Sequence, residues 1–228
     1  MASGRDADIF AYGDAGLLVL RRSRDGRSMV TEAKVMEYAA GHGYPVPAVD
    51  HLNDDGTDLV MERVDGPSMA QFLGRRPWTL GATGALLGDL HRRLHEIPPP
   101  DWLTPGPGPE GGSFLHLDLH PLNVIMGASG PVVIDWTNAR RGRAAFDVAL
   151  TWVLMTAGQI PGNRLKAALM GRARGLLVDG FLGGFDLTEV SATMRAVVEW
   201  KVTDPHMSEA EQRRMWAVVS KVEAPGAA

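Results

Sequence analysis

His116, Asp118 and Asn123 fall within one run, H-L-D-L-H-P-L-N, and Asp135 closes the apolar stretch Val132 to Ile134 that follows it. Phosphoryl transfer asks a protein for a carboxylate that positions an acceptor hydroxyl and takes its proton. It also asks for oxygen donors that hold the metal shielding the phosphates. The pattern H-x-D-L-x-x-x-N, with an aspartate beyond a short apolar strand, supplies both at the spacing such sites use. Asp118 stands at the base position, and Asn123 and Asp135 at the metal positions.

Those residues need a scaffold. Leu122 to Met126 and Pro131 to Trp136 are apolar segments joined by Gly127 to Gly130, which predicts a β-hairpin with Asn123 and Asp135 near its open end. Trp136, a large apolar residue after a buried strand, reads as packing. A plainer reading makes His116, Asp118 and Asn123 ordinary loop residues capping backbone groups. A different chemistry is a metal-dependent hydrolase using His116, Asp118 and His120, since alternate strand residues face one way, with His91 and His95 as an i, i+4 pair. It leaves Pro121 and Asn123 unexplained, the histidine pair lacks the glutamate of H-E-x-x-H, and the next histidine is His206.

The run and its I-D-W sequel resemble the aminoglycoside phosphotransferase and choline kinase family, a branch of the protein-kinase-like fold. The resemblance implies an α+β, two-lobe molecule with a small antiparallel-sheet N-lobe (residues 1–64) and a mainly helical C-lobe (65–228). It also implies ATP-dependent phosphorylation of a small molecule, with Asp118 as base and Asn123 and Asp135 holding Mg2+. His116 would brace the loop, and Asp147 would hydrogen-bond it from the next helix. A kinase-like protein that binds nucleotide without transferring phosphate is the alternative within the same fold.

Ile9–Tyr12 and Leu17–Arg21 flank a glycine-bounded turn, Met29–Ala40 reads as a helix, and 48–51 and 59–62 form a second hairpin. This strand, strand, helix, strand, strand order matches the implied N-lobe after its first strand. Val19 and Arg21 face the same way on their strand, so Arg21 occupies the place of the phosphate-gripping lysine in V-A-I-K. The only lysine in the first 165 residues, Lys34, lies on the helix. Arginine keeps the charge and grips carboxylate in two-pronged fashion, which makes an Arg21–Glu32 pair reasonable. Ser3 and Gly4 stand where a glycine-rich loop would cover phosphates with backbone N–H groups. The resemblance alone places backbone groups of Glu62 and Val64 at the adenine-pairing hinge.

Thr79 is expected to cap a helix to Ile97 with an apolar stripe of Leu80, Leu86, Leu87, Leu90, Leu94 and Ile97. A Pro/Gly-rich loop then leads into the catalytic run. Arginines 140, 141 and 143 read as a solvated turn, and Phe146 starts a helix apolar on nearly every side. Three further helices are expected at 163–181, 188–200 and 208–222, the last opening on the capping box Ser208-x-x-Glu211. Trp200 and Trp216 read as core residues rather than a cation cage.

A chain of 228 residues, 45% apolar, can bury a full core. A net charge of −4 leaves no footprint for nucleic acid, and no basic run suggests a membrane surface. The absence of cysteine rules out disulfides and thiolate metal sites. With no signal-like segment, a soluble cytoplasmic protein is the expectation. Basic and acidic residues nearly balance beyond residue 150, which argues against a strongly acidic cleft for a polycation. The expected partner is a small molecule bearing a hydroxyl: antibiotic, amino alcohol or sugar-like metabolite.

Overall fold

The computed structural model describes residues 2, 3, 7–13, 16–158, 164–205 and 207–224. Gly4, Asn163 and His206 lie outside them.

Five strands form one antiparallel sheet: β1 (Ala2–Ser3), β2 (Ala7–Tyr12), β3 (Leu18–Ser23), β4 (Val49–Leu52) and β5 (Asp58–Glu62), in the order β1-β2-β3-β5-β4. The two hairpins expected from the glycine-bounded turns are present. A short first strand, which the sequence hardly suggests, pairs Ala2 with Ile9. Helix α1 (Val30–Gly41) lies between β3 and β4 and buries Met29, Ala33, Val35, Met36 and Ala39, while Ala40 is exposed. Glu32 is buried on this helix as well, a burial that its ion pair explains below.

Helix α2 (Met69–Arg75) has no apolar periodicity long enough to stand out in the sequence, but its capping box is complete: Ser68 accepts from Gln71 N–H, and the Gln71 side chain accepts from Ser68 N–H. A single 3₁₀ turn over Pro77–Thr79 precedes α3 (Leu80–His95). Thr79 does not cap that helix. Its hydroxyl donates instead to the Arg76 carbonyl, because the turn before it has already brought that carbonyl within reach. Of the expected stripe, Leu87, Leu90, Leu94 and Ile97 are buried, whereas Leu80 and Leu86 are half-buried.

Strand β6 (Ser113–Leu115) leads into the run from His116 to Asn123, and β7 (Val124–Gly127) with β8 (Gly130–Val133) form the expected hairpin. Arginines 140 and 141 belong to β9 (Arg140–Gly142), which pairs with β6. They are thus strand residues and not a free turn. Segment 104–106 adds to the far edge of β9 through Gly106 N–H to Arg141 O and Arg141 N–H to Thr104 O. The glycines of this loop have a packing purpose, since a Cβ at Gly108 would stand 2.5 Å from the Phe146 ring.

Helix α4 (Ala144–Ala157) is buried nearly all round, as its composition predicts. Its C-terminal carbonyls are capped by arginines from other helices. Arg174 of α5 (Arg164–Leu182) donates to Thr156 O and Gly158 O, and Arg214 of α7 (Glu209–Val222) to Ala157 O. Cations there also suit the negative end of the helix dipole. Helix α6 (Leu187–Lys201) is capped by Asp186, and α7 by the expected Ser208/Glu211 box. Trp200 packs edge-on to Phe146, and Trp216 sits under Arg195. No helix among the described residues is long and apolar enough to cross a membrane.

Candidate active site

The run from His116 to Asn123 leaves β6 and turns sharply at Leu117, whose φ of 59° is left-handed. A leucine held there costs about 1 to 3 kcal/mol and needs the surroundings to impose it. Asp147 does so. Its carboxylate, completely buried on α4, accepts from His116 N–H at 3.0 Å and Leu117 N–H at 2.8 Å. The next amide, Asp118 N–H, donates to His116 Nδ1 at 3.2 Å. Three consecutive amides are therefore held by side chains.

His116 itself is buried, with Nε2 3.2 Å from Ile134 O and its ring 4.6 Å from the Trp136 ring. Accepting at Nδ1 and donating at Nε2 is the pattern of a neutral imidazole, and burial pushes its pKa down accordingly. Both ring nitrogens are spent on backbone. His120 lies elsewhere, with Nε2 3.5 Å from Asp118 Oδ1. Among the described residues no group of three His, Cys, Asp or Glu side chains could hold a metal ion, so the histidine-site hydrolase has no geometric basis.

Asn123 donates from Nδ2 to both Asp118 O and Asp118 Oδ2, each at 2.9 Å. With both amide hydrogens so used, its Oδ1 is left as a free oxygen donor. The bond from Ile134 N–H to Asn123 O, at 3.0 Å, sets Asp135 beside it across the mouth of the hairpin. Asp135 is also left-handed, φ 65°, and its side chain is 44% exposed. Two oxygen donors, one neutral and one charged, form a set that fits a small hard cation such as Mg2+.

Arg21 reaches this centre from β3. Its guanidinium pairs with Glu32 through Nη1, and through Nη2 lies 3.2 Å from Asp135 Oδ1 and 3.3 Å from Thr137 Oγ1. Thr137 Oγ1 in turn lies 3.1 Å from both Glu32 Oε2 and Asp135 Oδ1. Burial pushes the Glu32 carboxyl up, against the opposing pull of the Arg21 charge. A cavity of about 330 Å3 opens beside the pair, lined among others by Ser23, Thr31, Thr104 and Arg140.

The other nucleotide-side candidates are placed by backbone. Glu62 N–H donates to Ala48 O and the Glu62 carboxylate accepts from Ala48 N–H at the end of β5, two residues before Val64. Ser3 lies in β1. Thr137 and Thr151 are site-linked residues that the sequence reading missed. His91 and His95 stood out by their i, i+4 spacing and are buried helix residues, but that spacing does not show the bonds they make. His95 Nε2 lies 3.1 Å from Asp147 Oδ2. Burial alone would raise the Asp147 carboxyl, but the His95 hydrogen bond and the nearby histidine charges hold it well below the usual range.

A family model, APH, described as the phosphotransferase enzyme family, matches residues 1–110 and 102–176. No curated protein matches the chain in sequence. Among solved structures, a choline/ethanolamine kinase family protein from Mesorhizobium loti superposes with a TM-score of 0.64 at 15% identity, over 99% of this chain and 88% of that one. The aminoglycoside phosphotransferase APH(4)-Ia gives 0.59 at 14%, over 98% and 93%. Amicoumacin kinase hAmiN, in complex with AMP-PNP, Ca2+ and Ami, gives 0.55 at 14%, over 97% and 86%. At such identities the likeness carries the fold alone: α+β, with a small antiparallel sheet and a mainly helical remainder.

Proposed function

Because the chain belongs to the phosphotransferase enzyme family, we propose that it moves the γ-phosphate of ATP to a hydroxyl of a small molecule, with Asp118 as the base. The observation that carries this reading is the bond of Asn123 Nδ2 to Asp118 Oδ2, together with the bond of Ile134 N–H to Asn123 O, after which Asp135 follows directly in the chain. Nucleotide-bound neighbours of the same fold, AMP-PNP complexes among them, support ATP as the donor.

In this reading residues 1–64 form the nucleotide lobe and 65–228 the catalytic and acceptor lobe. The Glu62 carbonyl and Val64 N–H pair with the adenine edge, and backbone near Ser3 covers the phosphates. Arg21, steadied by Glu32, takes a phosphate oxygen in the role lysine fills elsewhere. Asn123 and Asp135 would hold Mg2+, which when bound would neutralise charge on the phosphates. Asp118 Oδ2 is fixed by Asn123, so the acceptor hydroxyl meets the carboxylate at Oδ1. As the acceptor oxygen bonds to the γ-phosphorus, its proton passes to Asp118 and the bond to the β,γ-bridging oxygen breaks, releasing ADP. His116 and Asp147 hold the loop and do not react.

Magnesium and ATP together are expected to raise the melting temperature, and Asp135→Ala to remove the dependence on magnesium. Labelled γ-phosphate transfer across aminoglycosides, other antibiotics, amino alcohols and sugars identifies the acceptor class. Asp118→Asn is expected to abolish any transfer found, and unchanged transfer would remove Asp118 as the base. Nucleotide binding with no turnover on any acceptor would favour a kinase-like binding protein.

A further inference from the structure

Asp118 is flanked by two buried polar rungs. On the upstream side His95 of α3 reaches Asp147 of α4, which grips the amides of residues 116 and 117. One turn away on each helix stands a second rung. His91 Nε2 lies 3.1 Å from Thr151 Oγ1, and that hydroxyl donates to Leu119 O at 2.8 Å, on the downstream side of Asp118. His91 and Thr151 are both completely buried. With its one proton on Nε2, the neutral His91 ring donates to Thr151 Oγ1, and the hydroxyl proton is left for Leu119 O.

The Leu119 carbonyl fixes the plane of the peptide that follows it, and hence the position of His120. That residue does two things near the base. Its carbonyl accepts from Asn123 N–H at 2.8 Å, and its ring stands 3.5 Å from Asp118 Oδ1, the oxygen assigned to the acceptor. We infer that Thr151, oriented by His91, is a positioning residue for phosphoryl transfer: its bond to Leu119 O sets the loop geometry that aims Asp118 and Asn123. The inference rests on the reading of Asp118 as base.

Thr151→Val keeps the shape and removes the hydroxyl, while Thr151→Ser restores it. In the full chain at neutral pH, Thr151→Val is expected to speed hydrogen exchange of amides 118–123 by about tenfold, the weight of one buried hydrogen bond, while α4 and α5 keep their protection. Turnover of magnesium-ATP, with water or the best acceptor found, is expected to lose a similar factor in kcat with the KM for ATP unchanged, and Thr151→Ser to recover both. If Thr151→Val does not fold, His91→Gln replaces it and moves the same readouts in the same direction. Wild-type exchange and kcat in the variant would overturn the inference, as would a loss of protection spread evenly through α3, α4 and α5. Wild-type protein that turns over no ATP defeats the transferase reading instead, and the exchange comparison alone then decides whether the pair holds the loop.

Discussion

Arg21 holds its guanidinium between two carboxylates in different settings. Glu32 is almost wholly out of water, and Asp135 is half in it. Removing one partner of a buried pair leaves an unpaired charge, so Arg21→Met is expected to cost about 3 kcal/mol as well as nucleotide affinity. The pH dependence tests the cause. Without Arg21 the Glu32 carboxyl rises further above its unfolded value, so its protonated form is favoured in the fold and the deficit shrinks as pH falls. Denaturant titrations of both proteins at pH 7.5 and 5 check this, and a deficit that grows toward pH 5 would contradict it. The acid in the helix and the base in the strand were readable as types, from alternation and charge. That Thr137 ties the two to Asp135 was not, because a lone threonine after I-D-W carries no spacing signal.

At the scale of elements, α3 and α5 meet through glycine. A Cβ at Gly84 would fall 2.1 Å from Leu177 O, and one at Gly180 2.2 Å from Gly81 O. Helix backbones touch here, which brings α3 close enough to the core for His91 to pack edge-on against Phe181 at 5.1 Å while facing Thr151. Gly84→Ala is therefore expected to lose about 2 kcal/mol, overpacking outweighing the helix propensity gained. Gly175→Ala, on α5 with nothing near its added methyl, is expected to gain up to about 1 kcal/mol. Thermal melts of the two variants give opposite signs if close approach is the reason for the glycines. Leucine periodicity located α3 in the sequence, but the reason for its glycines lies in α5 and is not written in α3 itself.

For the whole molecule, buried titratable groups make the fold acid-sensitive. His91 is pushed down to about 4 by burial, and His116 is lowered by burial as well. Below about pH 6.5 the unfolded chain takes up protons that these rings refuse in the fold, so stability falls as pH drops toward 4. His91 alone accounts for a loss on the order of 3 kcal/mol. Asp147, held low, contributes stability above the usual carboxylate range and loses it below. Denaturant midpoints between pH 7 and 4.5 should decline steadily, and His91→Phe should flatten the decline. A wild-type midpoint constant over that range would contradict the account.

The sequence by itself determined what depends on near neighbours. The run from His116 to Asn123, the hairpin that sets Asn123 opposite Ile134, the strand order around α1 and the Ser208 capping box are all written in spacings of a few residues, where turn chemistry and periodicity act directly. Tertiary structure alone decided what joins distant positions: Arg21 to Asp135, His91 through Thr151 to Leu119, and the arginines of α5 and α7 on the end of α4. Those bonds exist only at the separations that close helix packing sets. No local pattern encodes such a separation, because a hydrogen bond is won or lost over a few tenths of an ångström.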